Sequence, residues 1–247
     1  MWMRQQASAE KRWRSRIQKA LDQQTKDFIL YADQNGIGSA LTMLDYVVTS
    51  DGVATVIQQL YLQEGARAGI TQQRELNRAF GSEYKAFSFF TDWVKTMTNF
   101  FYSYGMKAIT QITETTRDRI RRVTSEQIAR QASYPEMRDA ITGDGINAKR
   151  ANVIARTETV TAMGNAKRVA ALSLPFKMIK EWIAIHDKRT RHSHRNIDGE
   201  TRPLEQAYSN GGMNPGDPEL PAKERIQCRC TEVYTPMRDS AGRPIRK

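Results

Sequence analysis

A mainly α protein with a small C-terminal α+β module and an extended helical N-terminal region is the fold class this sequence predicts. Three observations lead there. Over most of the chain up to Leu174, apolar residues recur at three- and four-residue spacings, the period of one-faced helices. After Pro175 that period gives way to partial alternation, as in a half-buried strand. All three histidines and both cysteines lie between His186 and Cys230, which confines the soft and titrating side chains to the C-terminal module.

The first helix is read from Ser8 to Ala32, where Trp13, Ile17, Ala20, Leu21, Phe28 and Tyr31 share a face and Asn35-Gly36 forms the stop. Its other face carries Lys11, Arg12, Arg14, Arg16 and Lys19, either a solvated face or a strip that meets phosphates or an acidic protein surface. Two or three helices are expected between Ile37 and Phe80, with breaks near Ser50-Asp51-Gly52 and Gly69-Ile70-Thr71. A long stripe follows, from Phe90, Trp93, Met97, Phe100, Phe101 and Tyr104 to Ile109, Ile112, Thr116, Ile120 and Val123. Aromatics at helical spacing predict packed core rather than base stacking.

Ser133-Tyr134-Pro135-Glu136 combines a capping hydroxyl, a first-turn proline and a carboxylate three residues on, so a helix starts there and ends at Thr142-Gly143-Asp144-Gly145. Asn147 is expected to cap the next helix, from about Ala148 to Leu172, which Pro175 prevents from continuing. Lys177 to His186 reads as a strand and Arg229 to Tyr234 as a second, with a Gly- and Pro-dense connection from Gly199 to Pro221. Four segments result: a helical region 1–104 suited to docking, long helices 105–174, the module 175–235, and a mobile tail 236–247.

At 247 residues the chain can hold one large or two small domains. Its hydrophobic fraction of 39% beside 26% charged residues leaves a thin core, which suits elongated helices or extensive partner contacts. The net charge of +11 favours an anionic partner, and it is distributed along the chain rather than collected in a tail. Cysteines one residue apart exclude a disulfide framework, and the N-terminus has no secretory pattern, so assembly in a reducing compartment is expected. No apolar run approaches the roughly 18 residues that span a bilayer, which excludes membrane insertion.

Arg156-Thr157-Glu158 lies mid-helix, and an ion pair anchoring that helix to the module is its expected role. Asp187, His192, His194, Cys228 and Cys230 are residue types that bind zinc. Three roles stay open: a structural zinc site with Asp187 or His192 as a fourth ligand, buried thiols and hydrogen-bonded histidines, or redox pairing. No other cofactor is indicated. The enzymatic rival is a metal-dependent nuclease using Asp187, His192, His194 and Asp198 around a divalent ion. A transfer enzyme acting on nicotinamide dinucleotide is the weaker rival, because Arg156 and Glu158 lack a glutamate pair near a strand end.

Taken in order, Ala155-Arg156-Thr157-Glu158-Thr159, Trp182, Asp187, Arg191-His-Ser-His194, Asp198-Gly199, Pro218 to Pro221 and Cys228-Arg229-Cys230 resemble the phage Mu protein F-like minor head protein family, the head morphogenesis proteins. The resemblance covers about Gly105 to Tyr234. It implies a non-enzymatic minor capsid protein of a tailed double-stranded DNA phage, made in the bacterial cytoplasm and placed in the virion head near the portal. Portal protein and other head proteins are the implied partners; the basic residues Lys11, Arg12, Arg14, Arg16, Lys19, Arg121 and Arg122 are separately read as candidate contacts to DNA phosphates or to a partner. The resemblance makes Arg156, Thr157, Glu158, Trp182, Arg191, Asp198 and Gly199 structural motif residues. Some members carry toxin or enzyme domains beyond the cysteine motif; the 17 residues after Cys230 leave no room for one here.

Overall fold

The computed structural model describes residues 1–80, 90–143 and 146–247. It is mainly α with a three-stranded antiparallel sheet near the C-terminus. The helices are α1 (Trp2–Asn35), α2 (Ile37–Thr42), α3 (Leu44–Val47), α4 (Asp51–Phe80), α5 (Phe90–Phe100), α6 (Met106–Ala129), α7 (Tyr134–Thr142) and α8 (Ile146–Leu172). A π-helical turn, Phe101–Gly105, joins α5 to α6. The module follows as β1 (Met178–Ile183), α9 (His192–Asn196), β2 (Thr201–Pro203), α10 (Ala222–Arg225) and β3 (Thr231–Pro236). No described helix is long and apolar enough to cross a membrane.

The chain forms two compact units, each discontinuous in sequence. One comprises Met1–Glu10, Leu60–Phe101 and Arg156–Lys247; the other comprises Lys11–Gln59 and Tyr102–Ala155. Helix length accounts for the interleaving: α1, α4 and α8 have 34, 30 and 27 residues, about 40–50 Å at 1.5 Å per residue, longer than a small domain is wide. Each therefore contributes to both units.

The second unit encloses Phe28, Ile29, Ala32, Ala40, Leu44, Val48, Ile120, Val123, Met137 and Ile141. Its interior is also polar, which reconciles a folded core with the low apolar content. Gln24 donates to the Thr49 carbonyl (2.7 Å) and accepts from Thr116 (3.0 Å), and Arg150 donates to Thr116 and the Ile112 carbonyl. Buried polar groups are tolerated when paired in this way. At the start of α7 the Glu136 carboxylate accepts both the backbone N–H and the hydroxyl of Ser133, each at 2.7 Å, the reciprocal cap that Ser-x-x-Glu predicts.

Three local expectations differ from the structure. α4 runs through Gly69 without a break, because Leu60, Tyr61, Ala68 and Leu76 are all buried along it and their packing outweighs glycine's weak helix preference. Asn147 lies inside α8 and donates to Asp22 at 2.9 Å instead of capping the helix. The tail from Met237 pairs back onto Pro175 to Lys177, with Lys177 donating to Ile245 (2.8 Å) and Met237 to Lys177 (2.9 Å). Those carbonyl and amide groups lie beside the sheet and give the tail a template that composition does not reveal. The side chain of Phe90 and the Asp144-Gly145 stop fall outside the described residues.

In the first unit β1 is the central strand, pairing antiparallel with β2 and β3 in the order β2-β1-β3. The register sets Trp182 opposite Glu232 and Lys180 opposite Tyr234. β2 is a strand that the glycine- and proline-dense connection conceals in the sequence. One apolar cluster joins Leu76 and Phe80 to Leu174, Phe176, Met178, Leu204 and Tyr234. Another surrounds Trp182, with Val160, Ala184, Ile197, Tyr208, Cys228 and Cys230.

Candidate functional site

His194, Cys228 and Cys230 meet beneath β1, with their donor atoms all within 4.8 Å of one another and all three residues buried. The short helix α9 raises His194 against Trp182 in an edge-to-face contact, their ring centroids 5.3 Å apart. His194 Nδ1 lies 3.3 Å from Cys230 Sγ and 3.7 Å from Cys228 Sγ. Its Nε2 sits 3.0 Å from Glu224 Oε2, at ion-pair distance but off the axis of a hydrogen bond. Both cysteines are free thiols. A hydrogen bond from Cys230 holds the Cys228 thiol well below its usual range, and the same bond, with burial, pushes Cys230 up.

Residues flanking the thiols hold the Cys-x-Cys segment in place. Arg229 grips Asp187 through both carboxylate oxygens at 2.6 Å, and this hydrogen bonding keeps the Asp187 carboxyl well below the ordinary carboxylate range. The Arg191 guanidinium donates to the Ile226 carbonyl. Asp198 accepts the Ala184 N–H at 2.7 Å and pairs with His186 at 2.6 Å, while Gly199, at φ +77, donates to the Trp182 carbonyl. Glycine reaches that backbone conformation without steric penalty.

On α8, Arg156 and Glu158 do not pair with each other. Arg156 donates to Glu10 (2.9 Å) and to Gln227 (3.3 Å), and Thr157 accepts the Gln227 N–H at 3.0 Å. Buried Glu158 accepts from the Tyr61 hydroxyl at 2.7 Å, with Arg225 3.9 Å away. Burial raises the Glu158 pKa. The run Asn214-Pro215-Gly216 packs directly on this helix. A side chain at Gly164 would meet the Pro215 carbonyl at 2.7 Å, and one at Gly216 would meet Val160 at 2.7 Å.

Among the residues named from sequence, the structure gathers His194, Cys228 and Cys230. Asp187 is engaged by Arg229, and His192 is exposed with Nδ1 3.2 Å from Asn196. Asp187, His192, His194 and Asp198, the residues of the nuclease reading, do not form one cluster of donor atoms among the described residues. Lys11, Arg12, Arg14, Arg16 and Lys19 are all exposed on α1. Arg121 is held by Asp45 (2.7 Å) and Asp118 (3.1 Å), and Arg122 by Glu126 (2.9 Å).

Sequence reasoning missed a second set. Lys180 and Glu232 are both 0% exposed. Glu232 accepts from the Tyr234 and Tyr208 hydroxyls; Lys167 donates to the Glu232 carbonyl at 2.5 Å, and Lys180 to the Met213 carbonyl at 2.5 Å. The period-2 pattern was the available signal, because Met178, Lys180 and Trp182 occupy one face of β1. Charged residues are normally assigned to the outer face, so the pattern pointed the other way. A groove lined by Arg156, Arg189, Arg191, Lys223 and Arg229 likewise brings together cations that lie far apart in the sequence.

Burial lowers the pKa of both Lys167 and Lys180 to about 8, below their usual 10.5. Between those values the folded chain binds fewer protons than the unfolded one, so stability rises with pH. Tyr61, Tyr208 and Tyr234 are pushed above their ordinary value of 10.0, chiefly by burial, and they oppose the trend beyond about pH 10. Urea midpoints are therefore expected to increase from about pH 8 to 10, and Lys167→Met should flatten that increase. An unchanged slope in this variant refutes the assignment.

The family model described as Phage Mu protein F like protein matches residues 110–233, just over half of the chain. The chain is also 30% identical over 80 residues to an NAD(+)–arginine ADP-ribosyltransferase of Enterococcus faecalis, a match covering 32% of this chain and 16% of that enzyme. It thus spans about a sixth of that relative's length. No solved structure matches the chain. The matched region runs from α6 through the Arg156-Thr157-Glu158 contacts and the His194, Cys228 and Cys230 cluster into β3, and on that extent of agreement the chain belongs to the phage Mu protein F-like family.

Proposed function

We propose that this chain is a minor head protein of a tailed double-stranded DNA phage, seated in the head interior near the portal, where it supports head assembly or DNA delivery. The match over residues 110–233 carries the reading. The contacts of the motif residues agree with it. Arg156, Thr157, Glu158, Asp187, Arg191 and Asp198 all have partners within the fold, as expected of residues that brace a module rather than act on a substrate. The similarity to an ADP-ribosyltransferase fits a shared module in a much longer enzyme, since the match spans only 16% of it.

DNA is contacted through phosphates, chiefly from the exposed Lys11, Arg12, Arg14, Arg16 and Lys19. Arg121 and Arg122, each already paired with carboxylates, contribute less. Purified chain mixed with linear and supercoiled DNA in magnesium should retain both without cutting either. Retention should fall as salt rises, with the log–log slope reduced by about 0.9 for each phosphate contact removed. Replacing the five α1 cations with glutamine should weaken retention on every sequence alike. Cleavage that disappears in Asp187→Asn or His194→Ala would instead establish the nuclease reading. Mass spectrometry of purified virions tests the placement, and absence of the chain from finished particles rules it out.

A further inference from the structure

We propose that His194, Cys228 and Cys230 bind a zinc ion that braces the C-terminal module. The donor spacing carries the assignment. A tetrahedral zinc with Zn–S of about 2.3 Å and Zn–N of about 2.0 Å keeps nitrogen and sulfur about 3.5 Å apart. The observed Nδ1–Sγ separations, 3.3 and 3.7 Å, fall on either side of that value. A thiol hydrogen-bonded to an imidazole needs one sulfur at that distance; here two sulfurs converge on one nitrogen, and all three donors lie within 4.8 Å of one another.

The surroundings point the same way. Zinc-bound imidazoles usually direct their second nitrogen at a carboxylate, which fixes the tautomer and frees the other lone pair for the metal. His194 Nε2 faces Glu224 at 3.0 Å, and the same Glu224 oxygen accepts from the Ser193 hydroxyl at 2.8 Å. In extended backbone, residues i and i+2 project to one side. Cys228 and Cys230 therefore face His194 together, while Arg229 projects to the other side and is locked onto Asp187.

Imidazole and thiolate donors select zinc over magnesium or calcium, which prefer oxygen. With both cysteines bound as thiolates, the pair neutralises the dication and the buried centre is uncharged. These three side chains leave one coordination position, since Asp187 is held by Arg229 and His192 lies against Asn196. The inference is independent of any placement in the virion.

The full chain, purified without a histidine tag, is titrated with zinc alone. About one zinc per chain is expected after desalting, with proton release on binding. Cobalt in its place should give thiolate-to-metal charge-transfer absorption. Cys228→Ser and Cys230→Ser should each abolish that band, and Glu224→Gln should leave the fold intact while weakening zinc affinity by about 10–100-fold. A measurement on the wild-type chain needs no variant: chelation should lower Tm, and zinc but not magnesium should restore it. Clearly substoichiometric zinc in the folded wild type overturns the assignment. So does stoichiometric zinc retained by a folded Cys228→Ser/Cys230→Ser chain.

Discussion

Trp182→Ala is expected to destabilise the first unit by about 3–5 kcal/mol, the usual result of truncating a fully buried large aromatic. Trp182 is 0% exposed and sits where the sheet, α8 and the thiol cluster meet. Its ring makes edge contacts with His194 (5.3 Å) and Tyr208 (5.1 Å). The indole N–H lies against the Cys230 sulfur without a full hydrogen bond, so the loss comes from packing. Trp182→Phe keeps most of the apolar contact and should lose much less. Guanidinium midpoints read the difference, and an alanine variant within about 1 kcal/mol of wild type contradicts the role given to this residue.

Glu232→Ala should be comparably severe, about 3–5 kcal/mol, because it removes the buried negative charge that most favours the charged forms of Lys167 and Lys180. Desolvation dominates this cluster: burial raises the pKa of Glu232 and lowers both lysines to about 8. The carboxylate is nonetheless held by the Tyr234 and Tyr208 hydroxyls, so removing it also orphans two phenols. Replacing the charged set together, as Lys167→Met/Lys180→Met/Glu232→Gln, should cost less than the single alanine change, since a buried ion cluster often adds little net stability over apolar residues of similar size. If the triple variant proves the less stable of the two, the cluster contributes net attraction and this account of it fails.

How far the site could be read from sequence depended on which physical rule governed each residue. Trp13, Ile17, Leu21 and Phe28 are buried along α1 as their spacing requires, because a helix has to hide its apolar stripe. Ser133 and Glu136 form their cap because capping is a local interaction. His194, Cys228 and Cys230 stood out through rarity and clustering. Glu224, which lies beside His194, did not: a lone glutamate in the four-residue helix α10 has no periodic or compositional mark. Lys180 and Glu232 carry no mark of burial in the sequence, because charges ordinarily lie outside; here they are buried with their hydrogen bonds made to carbonyls and hydroxyls.

The sequence by itself determined the helical class, most helix positions and the region where soft ligands collect, because period, caps and residue type act over a few neighbours. Only the tertiary structure decided which side chains meet. Asp187 went to Arg229 rather than to the thiols, Lys180 and Glu232 turned inward, and the long helices were divided between two units. Those outcomes depend on strand register and on packing between residues up to 224 positions apart, as in the contact of Gln6 with the Cys230 carbonyl. No local pattern encodes such pairings, because their free energy exists only once the chain has folded.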